Sequence, residues 1–355
     1  MNNIKQSTSR RKTPWTMEEN NEDFTEEDLT LLEKLIDEKN KSIYEFRHPK
    51  LLGSSEIEFL NSMIPTKCPY CNSSKFKKSG FNKNRVQRYH CNNTDDCGKS
   101  FLITSNTIFD NHKISLTEWI EFCLEVFNFQ SFNSISKSTR TSYATTLYWI
   151  HKVFYLLKDY QDDILLKDNV SIDETFYRAS TSNLVKYNGY KPTDVSKNKY
   201  CIGIGCDKDL VFCKIENNKS ATTSDDTFKT FCNHIKRGST LTHDGEKRHN
   251  KLVEDLELQS FVYLVNYSRN VKKEDDPLYR INELCSFLKA FLQTHKGFDR
   301  KYLQDYLNLF SFIFNPPDNP FEKVEYLIEK AFKTPGIIKY REELPQKSEN
   351  IQITE

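Results

Sequence analysis

Four cysteines place the first constraint on this chain. Cys68 and Cys71 form a C-x-x-C pair, nineteen residues separate Cys71 from Cys91, and five separate Cys91 from Cys97. A C-x-x-C turn presents two thiolates to one tetrahedral ion, and a second pair downstream completes a four-thiolate set of the zinc-ribbon type. The second pair is wider than a C-x-x-C, and its loop "NNTDD" is built from residues that tolerate tight turns. The rival readings are disulfides and chance grouping. The N-terminal "MNNIKQSTSRRKTPW" lacks the apolar stretch of a secretory signal, and no apolar run is long enough to span a bilayer. The chain is therefore read as cytoplasmic, where disulfides do not persist and paired cysteines hold metal. A structural Zn²⁺ on Cys68, Cys71, Cys91 and Cys97 lets a segment poor in large apolar residues fold around an ion. His90 is a substitute ligand, but it adjoins Cys91 and the two do not easily face one ion. The other six cysteines sit in apolar contexts and read as core.

The net charge of +1 conceals an uneven distribution. Between Trp15 and Glu38 there are ten acidic residues and one Lys, whereas Lys67–Ser100 holds eight Lys or Arg against two Asp. Lys75, Lys77, Lys78, Lys83, Arg85 and Arg88 are thereby gathered on the small cysteine-rich module, as phosphate contacts require, with Tyr89 and Phe81 available for packing or base stacking. A charge run taken alone is as readily a solvated face.

Composition and period divide the remainder. Residues 1–60 are a polar extension in which "FTEEDLTLLEKLIDEK" reads as an acidic amphipathic helix; 64–105 are the ribbon; 112–160 are helical. Within 112–160, two helical stretches flank a polar break, "FNSISKSTRTSYATT". Ser138, Thr139, Arg140, Thr141 and Ser142 there suit either the start of a DNA-recognition helix in a helix-turn-helix or the capped loop of an ordinary helical hairpin. From 168 to 315 the pattern becomes α/β: "NVSIDETFYRA", "KYCIGIGCDKD" and "LVFCKIE" read as strands. "SDDTFKTFCNHI" reads as a helix with a Ser/Asp cap, "STLTHDG" and "FVYLVN" as two more strands, and Pro277 to about Phe314 as helical. Residues 316–355 are a tail with one short helix.

Carboxylates fall at telling places in that order. Asp173 and Glu174 lie in the first strand and point to opposite faces. Asp244 ends a later strand, and Asn282 and Lys289 lie seven residues, nearly two turns, apart on one helix face. Two strand carboxylates and a helix-borne oxygen ligand form the ligand set of an RNase H-like nuclease, and hard oxygen ligands of this kind suit Mg²⁺. For any one of these residues alone, surface solvation is the simpler account, and His243 beside Asp244 reads as incidental.

The succession "CPYC…C…C", "IDETFY", "THDG" and "INELCSFLKAFLQTHKGFDRKYLQDYL" resembles the bacterial insertion-sequence transposases of the ISXO type over about residues 65–315. The resemblance implies an N-terminal zinc ribbon, a DDE-type RNase H-like mixed-sheet catalytic domain, and an enzyme that cuts element ends and joins 3′-hydroxyls to target DNA. It implies Asp173 and Asp244 as catalytic Mg²⁺ or Mn²⁺ ligands and Lys289 as the Lys paired with the third position. That position falls on Asn282 where the pattern has an acid, as in some relatives; the adjacent Glu283 ranks second. The implied partners are terminal inverted repeats, target DNA and further copies of the chain, at the nucleoid and not at a membrane. The alternatives are a domesticated relative that only binds DNA, and a protein-binding zinc-ribbon adaptor that uses the acidic helix.

Overall fold

A computed structural model describes residues 53–93, 95, 97–110, 115–139, 141–178, 199–218, 222–263 and 276–339. The acidic N-terminal helix, Arg140 and the tail beyond 339 lie outside the described residues. The chain divides into two compact units, one of residues 1–122, 133–146 and 335–337, the other of 123–132, 147–334 and 338–355.

The first unit carries helix α1 (Gly53–Ser62) and a three-stranded antiparallel sheet of β1 (Phe76–Phe81), β2 (Gln87–Cys91) and β3 (Ser100–Phe101), in that order. The cluster on its sheet is small: Tyr89 and Phe101 stack at 5.6 Å, and Phe76 meets both edge-on beside the buried Cys68 and Cys91. Cys71 and Cys97 pack against the same cluster. Asn61 of α1 grips the β1–β2 turn, donating to the Arg85 carbonyl (3.0 Å) and accepting from the Gln87 N–H (2.7 Å).

Helix α2 (Leu116–Phe127) starts on a reciprocal Ser115–Glu118 cap, and Glu56 accepts from the Leu116 N–H at 3.0 Å. The stretch read from sequence as a break holds a short helix of its own, α3 (Phe132–Ser138), before α4 (Tyr143–Leu157). The hydroxyls between them are spent locally. Thr139 donates to the Ile135 carbonyl (2.7 Å), Thr139 and Thr141 share a hydrogen bond (2.9 Å), and Ser142 accepts from the Thr145 N–H (3.1 Å). These hydroxyls cap the turn between α3 and α4.

The second unit is built on a five-stranded sheet. β4 (Asn169–Arg178), β5 (Lys199–Cys206) and β6 (Val211–Asn217) form an antiparallel meander, and β7 (Thr240–His243) and β8 (Gln259–Val262) add in parallel on the far side of β4. The order β6-β5-β4-β7-β8, with the first strand of the domain central, is that of an RNase H-like sheet. Gly203 and Gly205 on β5 admit helix α5 (Ser224–Phe231): a Cβ on either would come within 3.0 Å of the Phe231 ring. The cap of α5 is Thr223, one residue before the Ser/Asp cap expected, with Asp226 returning the bond. On this face Val170, Ile172, Leu241, Phe212 and Phe231 form one core with Leu252 of α6 (Asn250–Asp255).

Helices α7 (Tyr279–Thr294) and α8 (Leu303–Phe314) follow, with α9 (Pro320–Lys333) last. α8 is anchored to β6 through polar bonds, including Ser311 Oγ to the Val211 carbonyl at 2.7 Å. At the end of α7, His295 is packed among Phe132 (4.4 Å), Phe291 (4.9 Å) and Tyr306 (5.6 Å), with neither ring nitrogen hydrogen-bonded.

Burial pushes the His295 pKa down to about 4 from 6.5. A base depressed in the folded state leaves stability intact above about pH 6.5 and withdraws it as pH falls toward 4, by about 3 kcal/mol in full. Replacing His295→Phe should abolish that share of the acid-side loss. Denaturant titrations of both proteins between pH 7.5 and about pH 4 check it: parallel curves would exclude His295 as the cause.

Candidate active site and cysteine cluster

The four cysteine sulfurs converge. Cys68 Sγ lies 3.7 Å from Cys97 Sγ, and Cys71 Sγ lies 3.6 Å from Cys91 Sγ. Zn–S bonds of about 2.3 Å give a tetrahedron with edges of about 3.8 Å, so the four donors fit one Zn²⁺. The wide second loop closes because the Cys97 and Gly98 N–H groups both donate to the Asn93 carbonyl. His90 turns away from the cluster toward Ser100 Oγ (3.4 Å). Lys75, Lys77, Lys78, Lys83, Arg85 and Arg88 are all exposed around this unit. Tyr89 is 3% exposed and belongs to the core, so only Phe81, at 60%, is left as a stacking group.

In the second unit, the pleat of β4 sends Asp173 and Glu174 to opposite faces. Asp173 Oδ1 accepts from the Glu174 N–H (2.8 Å), and the Cys285 thiol of α7 donates to Oδ2 (3.4 Å). Burial raises the Asp173 pKa above its ordinary value; those two donors pull it back, and the charges of Glu174 and Asp244 raise it further. β4 and β7 run parallel with Ser171 opposite Thr242. Asp173 stands two residues further along β4, and Asp244 is the first residue past the end of β7, close enough for its charge to act on Asp173. Asp244 is 45% exposed, and its Oδ1 accepts from the Glu246 N–H at 3.0 Å.

Helix α7 supplies the rest. Its contact with Asp173 is Cys285, three residues after Asn282 and four before Lys289. At about 100° per residue, Asn282 lies about 60° and Lys289 about 40° from Cys285 around the helix, so all three share the stripe that faces Asp173. Asn282 and Lys289 are exposed on that stripe. Glu283 lies about 160° from Cys285 and is engaged elsewhere, accepting from the Tyr279 hydroxyl at 2.7 Å. A half-buried acid on β4, an exposed acid just past β7, and an amide and an ammonium on one stripe of α7 can offer oxygen ligands to a cation and a positive charge to a phosphate.

Sequence reading assigned Cys285 to the core and missed its thiol on Asp173. It also passed over Glu174, whose side chain is 1% exposed and meets His249 Nε2 at 3.2 Å, and the buried His243. The signal was present: a charged residue on the inner face of a strand requires partners.

Residues 165–315 match the family described as the ISXO2-like transposase domain. Among solved structures, the chain is similar to the Mos1 transposase catalytic domain with Raltegravir and Mn, at 13% identity over 62% of this chain and 94% of that one, with a TM-score of 0.25. It is also similar to the Mos1 strand transfer complex, at 12% identity over 60% of this chain and 75% of that one, with a TM-score of 0.29. A comparison with curated proteins found no match. The matched span opens just before β4 and closes just after α8, taking in every element that carries Asp173, Asp244, Asn282 and Lys289.

Proposed function

We propose that the protein cleaves the ends of an insertion sequence and transfers the 3′-hydroxyls to target DNA, with Asp173, Asp244 and Asn282 holding divalent cations. The observation that supports it most is the proximity of Asp173 on β4 to Asp244, just past the adjacent parallel β7, with the Cys285 thiol of the Asn282–Cys285–Lys289 stripe on Asp173. Mg²⁺ or Mn²⁺ bound there would polarise the scissile phosphate and lower the pKa of the attacking hydroxyl. Asp173 is the inner donor; burial disfavours its charge, and a cation beside it restores the ionised form. Asp244, exposed at the strand end, is open to cation and substrate together. Asn282 brings a carbonyl oxygen without charge, and Lys289 neutralises a phosphate from the same stripe. Cys68, Cys71, Cys91 and Cys97 hold a structural Zn²⁺. Lys75, Lys77, Lys78, Arg85 and Arg88, with Arg140 between α3 and α4, contact the DNA backbone at terminal inverted repeats. The protein acts as a homo-oligomer on paired ends at the nucleoid. Among the described residues no helix is long and apolar enough to cross a membrane.

Purified protein should carry about one Zn²⁺ per chain, released by Cys68→Ser with loss of the ribbon's order. Metal analysis and proteolysis of residues 64–105 read this out; a zinc-free ribbon that resists protease would exclude the metal.

End binding should weaken steeply with salt, and each of Lys77→Ala, Lys78→Ala and Arg88→Ala should flatten the log K against log salt slope by about one. Slopes unchanged in all three would move the phosphate contacts off the ribbon.

Asp173→Ala, Asp244→Ala and Asn282→Ala should each abolish cleavage and spare binding, while Glu283→Ala stays active and Asn282→Glu retains activity. The reverse ranking of positions 282 and 283 would reassign the third ligand. A wild-type chain that binds ends tightly but leaves them intact with Mg²⁺ and Mn²⁺ would be a DNA-binding relative without catalysis, the alternative that the uncharged Asn at 282 leaves standing.

A further inference from the structure

Each of the two aspartates has a chain neighbour on the covered face of the sheet. Glu174 follows Asp173 on β4, and His243, the last residue of β7, precedes Asp244. The Glu174 side chain is 1% exposed and His243 is 2% exposed. Between them sits His249, in the single 3₁₀ turn Lys247–His249 that follows β7, also 1% exposed. His249 Nε2 lies 3.2 Å from Glu174 Oε1, and His249 Nδ1 lies 3.0 Å from His243 Nδ1. The chain of contacts continues from His243 Nε2 to Ser260 Oγ on β8, at 2.9 Å. Arg248, in the same turn, forms an ion pair with the other Glu174 oxygen at 3.0 Å.

The place of this network along the strands gives it meaning. The ladder between β4 and β7 makes its last pairing at Ser171 and Thr242, two residues short of both aspartates. Beyond that pairing, the side-chain link from Glu174 through His249 to His243 spans the two strands. A carboxylate buried this deeply costs several kcal/mol unless it is paired, so the link is held in one arrangement and does not drift among several.

We propose that Glu174, His249 and His243 form a brace across the covered face that sets the spacing of Asp173 and Asp244, making all three positioning residues for cation binding. The proposal rests on the reading of Asp173 and Asp244 as the cation-holding pair. The ring nitrogens of His243 and His249 also come within 4.8 Å of an Asp244 oxygen, the spacing of direct metal ligands. Here, however, their Nδ1 atoms are engaged with each other on the covered side, which suits a brace and not a first coordination sphere.

The test measures Mn²⁺ affinity of the full-length protein without DNA, from the electron paramagnetic resonance signal of free Mn²⁺, alongside thermal unfolding and zinc content. Loss of a group that orients metal ligands costs about 10–100-fold in metal affinity. His249→Ala should therefore weaken Mn²⁺ binding at least about tenfold, and His249→Gln, which keeps an N–H for Glu174, should recover most of it. A folded His249→Ala that binds Mn²⁺ like wild type overturns the brace. If His249→Ala does not fold, Glu174→Gln and Ser260→Ala carry the same comparison, and undiminished affinity in both overturns it. Zinc should stay at about one per chain in wild type and His249→Gln; a second equivalent, lost in that variant, would make the imidazoles ligands and overturn the brace. Asp173→Ala and Asp244→Ala calibrate the measurement. If they lose Mn²⁺ while the histidine variants keep it, the brace alone fails; if they keep it, the cation-pair reading fails and the brace with it.

Discussion

The pairing of β4 decides where everything else in the second unit goes. As the central strand it is antiparallel to β5 on one side and parallel to β7 on the other, so its pleat is fixed from both edges. A slip of one residue would exchange Asp173 with Glu174 across the sheet and bury the wrong carboxylate. The core forbids this: Val170 and Ile172 must stay with Leu241, Phe212 and Phe231, and they carry Glu174 to that side with them. Asp173 is thereby left for α7. The geometry of the candidate site is thus held by the apolar residues on the far face as much as by any polar contact.

Both candidate sites place anionic donors together under cover, where the chain by itself cannot neutralise them. Four sulfurs lie within 4.8 Å of one another in the ribbon. In the sheet, burial and neighbouring carboxylates resist the charge on Asp173. A cation resolves each arrangement in a different way. At the thiols it would add to the small Tyr89, Phe76 and Phe101 cluster. At the carboxylates, where the fold stands on an ordinary apolar core, it would add chemistry. The first should behave as a folding element and the second as an exchangeable reagent.

Polar contacts within the sheet domain follow the same economy. Glu174 is satisfied by His249 and Arg248, and β6 is tied to α8 through Ser311 and through Asn315, which donates to the Val211 carbonyl at 2.9 Å. Cys285 contributes a weak S–H donor where a hydroxyl or amide would compete more strongly for the Asp173 oxygens. The donor nearest to Asp173 on the helix can therefore be displaced by a cation at small cost.

The chain's local pattern alone determined the elements. Spacing identified the cysteine module, period identified the strand and helix order, and a seven-residue interval put Asn282 and Lys289 on one face. Those features depend on residues close in sequence, where 3.6 and 2 residues per repeat leave few choices. The burial of Tyr89, the thiol of Cys285 on Asp173 and the link from Glu174 to His249 were decided only by tertiary structure. Each joins a side chain to a partner chosen by packing, and local periodicity carries no information about which distant partner that will be. Glu174 and His249, for instance, are 75 residues apart. The choice between Asn282 and Glu283 lies between these two cases. Helical geometry put them on different faces, but only the contact of Cys285 with Asp173 decided which face the site would use.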